Sequence, residues 1–70
     1  MIPLNLADIG KPLIVKKVSG SPEVKQHLED LGFNVGGEVL VVSTLNDNII
    51  VKVREKRIAL DGDLARRIMV

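Results

Sequence analysis

The amino-acid sequence predicts a mainly β domain: a small barrel of about five short strands, with one short α-helix inserted after the first strand. Three observations carry this. Apolar runs rich in β-branched residues recur between glycine- and asparagine-marked turns, as LIVKKV, EVLVVST, NIIVKV and RIAL. One segment alone, SPEVKQHLEDLG, has helical apolar spacing with a stop signal at each end. The chain has 70 residues, no cysteine and one histidine, so neither a disulfide nor a Cys- or His-rich zinc site can brace it. Its core must come from Val, Ile and Leu, since Phe33 is the only aromatic residue.

The elements follow in order. Leu4 to Pro12 reads as a loop or single turn whose leucines, Leu4 and Leu6, tuck inward. Leu13 to Val18 is the first strand, ended by the SGSP break. Ser21 then caps a helix, because its hydroxyl can accept from an unpaired first-turn amide. Pro22 suits the first helical position, where its missing N–H costs nothing. Val24, Leu28 and Leu31 form one apolar stripe, with polar residues on the other faces. Gly32 can take the left-handed conformation that ends a helix, and Gly36-Gly37 marks a turn. From Glu38 to Thr44 a strand sends Val39 and Val41 one way and Leu40 and Val42 the other. Such a strand is either covered on both sides or leaves an apolar contact face.

Asn46-Asp47-Asn48 forms the next turn, since Asn and Asp tolerate positive φ. Ile49, Val51 and Val53 alternate with Ile50, Lys52 and Arg54 in a half-buried strand. After a tight turn near Glu55-Lys56, Ile58 and Leu60 face inward. Asp61 caps one helical turn, and Ile68 to Val70 forms the last strand. Closing these strands removes vulnerable sheet edges. An OB-like barrel is the alternative, but the chain is short for it and the helix comes too early. Residues 1–70 therefore read as one SH3-like barrel domain.

Composition excludes much chemistry. No catalytic constellation is visible: His27 is the only histidine and reads as an exposed helix residue. Asp61 and Asp63 are explained by a helix N-terminus, whereas a hard-cation site wants about six oxygens. Gly36-Gly37 lacks the Lys-Ser/Thr ending of a phosphate loop and precedes a strand. No cofactor and no specific iron or other metal site is expected, and the protein is not read as an enzyme. No run approaches the ~20 apolar residues that span a bilayer, and the start lacks a secretory leader. A cytoplasmic protein without membrane insertion is the expectation.

Binding remains. One phenylalanine cannot build the aromatic groove that grips polyproline, nor a base-stacking platform. A net charge of +1 does not suggest a DNA or RNA partner. The candidate protein-binding surface joins Phe33, Asn34, Val35 and Gly36 to the outward residues Leu40 and Val42, with Ile50 nearby. Phe33 is its candidate anchor; the competing assignment for Phe33 is core. Weak self-association is compatible with that surface. The alternative surface is the basic cluster Lys52, Arg54, Lys56 and Arg57, suited to a nucleic-acid backbone or serving only to solvate and protect an edge.

One ordered set of residues resembles a known family. It comprises Leu4, Leu6 and Gly10; Leu28 and Leu31-Gly32-Phe33; Gly36 with Val39 and Val41; Ile49 to Val53; and Arg57-Ile58-Ala59-Leu60 with Ala65 and Ile68 to Val70. In this the chain is similar to FeoA, the small accessory protein of bacterial ferrous-iron transport. It departs from the family pattern at Val35, where proline is common, and in the hairpin near Leu45 to Asn48, which lacks the usual proline. The resemblance implies an SH3-like fold and a partner, the GTP-hydrolysing membrane permease FeoB. The same fold is expected in the C-terminal domain of metal-dependent repressors, so a freestanding relative of that domain is the further alternative.

Overall fold

The computed structural model describes all residues, Met1 to Val70. A 3-10 turn at Leu4–Leu6 precedes strands β1 (Pro12–Ile14) and β2 (Lys17–Val18). Helix α1 (Pro22–Leu31) follows, then β3 (Glu38–Leu45), β4 (Asn48–Val53), β5 (Lys56–Leu60), helix α2 (Gly62–Ala65) and β6 (Ile68–Met69). An antiparallel four-stranded sheet runs β1-β3-β4-β5, and β2 pairs with β6 in a second. The sheets pack as an open SH3-like barrel around a wholly apolar core, with Leu4, Leu28, Phe33, Val39, Val41, Val51, Leu60 and Ile68 among its members.

The expected first strand is two strands, and the break couples the sheets. Buried Val15 is the corner. Its amide donates to the Gly37 carbonyl and its carbonyl accepts from the Gly36 amide, while the next amide, of Lys16, donates to Met69. Within two residues the chain thus leaves β3 and joins β6. At its other edge β6 meets the N-terminal segment, where Ile2 and Val70 exchange both backbone bonds.

Leu4 is buried as expected, but Leu6 is 69% exposed. The cause is the 3-10 turn: with about three residues per turn, positions two apart cannot share a face.

Helix α1 matches its expected caps. The Ser21 hydroxyl accepts from the Val24 amide at 3.3 Å, and Gly32 sits at φ 109°. The Gly32 amide donates to the Glu29 carbonyl and the Phe33 amide to the Leu28 carbonyl. This is the Schellman arrangement, which requires positive φ at the glycine. A Cβ on Gly32 would also stand 3.3 Å from a Val53 methyl. Gly32→Ala should therefore lower stability by roughly 1–3 kcal/mol, read as a shifted urea midpoint with unchanged m-value.

Strand β3 carries a bulge that its alternation does not announce. Val41 lies opposite Val51, but Ser43, not Val42, lies opposite Ile50. The extra residue inverts the inside–outside order of all that follows. Leu45, which strict alternation would send inward with Val39 and Val41, is 70% exposed. In α2 the Asp61 carboxylate accepts from the Leu64 amide at 2.9 Å, as its capping role predicts.

A candidate docking surface on the four-stranded sheet

Phe33 is not a surface anchor. It is 0% exposed and lies in the core cluster with Leu28. The cause is local: in a Schellman cap the residue after the glycine folds back onto the helix residue five positions earlier. An apolar residue directly after the capping Gly32 was the signal, in the sequence, that Phe33 belongs inside. Asn34 is half-buried, Gly36 is exposed, and Val35 is 67% exposed at the turn tip. The amides of Asn34, Gly36 and Gly37 already donate to carbonyls within the protein, so the turn does not offer them to a partner. The expected surface is thus divided, with Phe33 in the core, Val35 at a tip, and Leu40 and Val42 on the sheet.

The sheet part of the surface is coherent. Alternation places Leu13, Val39, Val51 and Ile58 toward the core and their chain neighbours outward. One cross-strand row on the outer face reads Pro12, Leu40, Lys52, Arg57; the next reads Ser43, Ile50, Ala59, with Val42 bulged beside Ser43. Leu40, Val42 and Ile50 are half-buried, and Ile14 is 47% exposed. A shallow depression here is lined by Glu38, Val39, Leu40, Lys52 and Arg54. Pro12, Ile14 and Ala59 lie outside the surface expected from the sequence. Ile14 could have been included, since with Leu13 facing inward the next residue faces out.

The basic cluster does not form one stripe. Lys52 and Arg57 lie directly opposite each other on the outer face, an arrangement of like charges that destabilises a sheet unless an anion joins it. Lys56 pairs with Val53 at the hairpin end. Arg54 occupies the β4–β5 turn at φ 57°, an uncommon conformation for a side-chain-bearing residue. Its Nε and Cδ come within 3.5 and 3.7 Å of where a Cβ on Gly32 would stand. The guanidinium thus lies by the C-terminus of α1, where exposed carbonyls favour a cation. None of these four cations has a salt-bridge partner, because the ion pairs are Lys11–Asp8, Arg66–Asp47 and Arg66–Asp63.

The remaining polar candidates have structural roles or stand apart. His27 is exposed on α1. Asp61 caps α2 and Asp63 pairs with Arg66. No group of three or more His, Cys, Asp or Glu residues is placed to hold a metal ion.

The comparisons with known proteins agree with this architecture. The family model described as the FeoA domain matches residues 2–70. A Methanocaldococcus jannaschii protein named as a candidate Fe(2+) transport protein A is 34% identical over the whole chain, covering 85% of that relative. The crystal structure of an iron uptake regulatory protein, FeoA, superposes with a TM-score of 0.86 at 28% identity, covering 96% of this chain and 89% of that one. A zinc-complexed FeoA from Stenotrophomonas maltophilia, described as a procaryotic SH3 domain protein, shares the fold: TM-score 0.84, 24% identity, 99% of this chain and 88% of that one. A family match over nearly the whole length, on the fold its members share, makes this chain a member of the FeoA domain family of ferrous-iron transport.

Proposed function

We propose that the protein is a non-enzymatic, cytoplasmic accessory subunit of a ferrous-iron transporter. It binds the cytosolic part of the GTP-hydrolysing permease FeoB through the outer face of its four-stranded sheet. The observation that carries this is the face itself: Ile14, Leu40, Val42 and Ile50 form an apolar strip bordered by the unpaired cations Lys52 and Arg57. An apolar centre with a charged rim is the anatomy of a protein interface. Membership of an iron-transport family supports a transporter as the partner. No helix of the protein is long and apolar enough to cross a membrane, which suits a subunit that docks on a membrane protein.

The test is recovery of the permease from detergent-solubilised membranes on immobilised protein. The unaltered chain should retain it. Leu40→Glu places a charge at the strip's centre and should cut recovery at least about tenfold, as loss of a central contact does. His27→Ala, on exposed α1, should not change it. Equal recovery by Leu40→Glu would remove the sheet face as the interface. Binding that collapses between low and moderate salt and is competed by duplex DNA would favour a nucleic-acid module instead.

A further inference from the structure

The outer edge of β5 is open, and its surroundings select what can join it. β4 and β5 form a hairpin whose two-residue turn is flanked by the pair Val53–Lys56. The pair flanking such a turn is hydrogen-bonded, and bonded pairs then alternate with unbonded ones. Val51–Ile58 and Ile49–Leu60 are therefore bonded pairs, whereas Arg57 and Ala59 direct their amides and carbonyls away from β4. Neither residue makes a backbone bond outside the sheet ladder, and both are exposed. Two donors and two acceptors, in strand geometry, thus face outward.

The side chains beside that edge are equally uneven. Arg57 stands next to Lys52, with no carboxylate paired to either. Ala59 stands next to Ile50, and its single methyl leaves the edge uncrowded.

We infer that β5 accepts an extended acidic segment of a partner protein as an added antiparallel strand, with an acidic residue beside Arg57 and Lys52 and an apolar residue two positions earlier beside Ala59 and Ile50. The inference rests on the reading that this sheet face docks a protein, and it names the chemistry of the docked segment. Antiparallel order fixes the motif as apolar–x–acidic, because residues two apart share a face. Backbone pairing supplies the hold and the two side-chain positions supply the choice, as in other strand additions. The carboxylate relieves the like-charge pair of Lys52 and Arg57. A second copy of this chain is a poor occupant: KRIAL carries no carboxylate, and joining two such edges would gather two Lys56–Arg57 pairs on one short ladder.

The probes are two short threonine-rich peptides, each with a valine and, two positions later, either aspartate or lysine. The aspartate peptide should shift the amide resonances of Arg57 to Ala59 and their neighbours on β4; the lysine peptide should not. Arg57→Glu should weaken the aspartate peptide about tenfold and allow the lysine peptide to bind. Ala59→Pro, which deletes an outward amide that no internal bond uses, should abolish binding of the aspartate peptide. Should that variant fail to fold, the charge exchange at Arg57 remains decisive. Shifts elsewhere, equal binding of both peptides, or a concentration-dependent dimer with no peptide binding would overturn the inference.

Its failure is separable from that of the proposed function. Permease recovery that survives Arg57→Glu and Ala59→Pro but is lost with Leu40→Glu leaves the docking face and removes the added strand. An edge that takes the aspartate peptide, in a protein that recovers no permease, keeps the strand site and removes the permease as partner.

Discussion

Phe33→Ala is expected to destabilise the domain severely rather than to weaken a partner directly. Phe33 is fully buried and is the largest of the buried side chains. Truncating a buried Phe costs about 3–5 kcal/mol, from lost transfer energy and from the cavity left behind. Typical stability per residue gives a chain of this length a total of only roughly 4–10 kcal/mol. The loss is thus a large share of the whole, with no second core to absorb it. Val35→Ala, at the exposed tip two residues on, should change stability by no more than about 0.5 kcal/mol. Urea unfolding followed by circular dichroism separates the outcomes. A Phe33→Ala protein of unchanged stability with reduced permease recovery would return Phe33 to the interface.

Leu28→Ala should cost about 2–5 kcal/mol and should act first on α1. Leu28 is the one buried residue of that helix, while Val24 and Leu31 pack against the core only in part. Ten residues are too few for a helix to persist alone, since isolated helices shorter than about 12–15 residues are marginal in water. Docking through Leu28 therefore holds the helix in place. A shortfall of 2 kcal/mol corresponds to a fall in Tm of roughly 10 °C for a domain of this size. Amide exchange would show whether α1 opens before the sheets do. An unchanged Tm would mean that Val24 and Leu31 are sufficient anchors.

The two positions also differ in how far local rules reach. The stripe Val24, Leu28, Leu31 is a property of one helix, and its inward direction follows from spacing alone. Phe33 lies one residue past the helix stop, where no periodicity applies. Its direction is set by the Gly32 cap, and the clue was the cap chemistry. The basic cluster failed in another way. Lys52, Arg54, Lys56 and Arg57 are close in sequence, but a two-residue hairpin sends neighbouring side chains to different places. Only Lys52 and Arg57 remain side by side.

By itself the sequence determined the mainly β class, the position and both caps of α1, the Asp61 cap of α2, and the inward set Val39, Val41, Ile49, Val51, Val53 and Leu60. These depend on short-range rules: alternation of side chains, the demand of helix ends for partners, and the burial of β-branched residues. Its ordered pattern also carried the family. Only the tertiary structure decided that Leu13 to Val18 serves two sheets through the corner at Val15, that a bulge in β3 turns Leu45 outward, and that Leu40, Ile50, Lys52, Arg57 and Ala59 share one face beside an open edge. Each of these is a pairing between residues distant in the chain. Register is chosen by how whole strands fit together around the core, and one inserted residue reverses every later side chain.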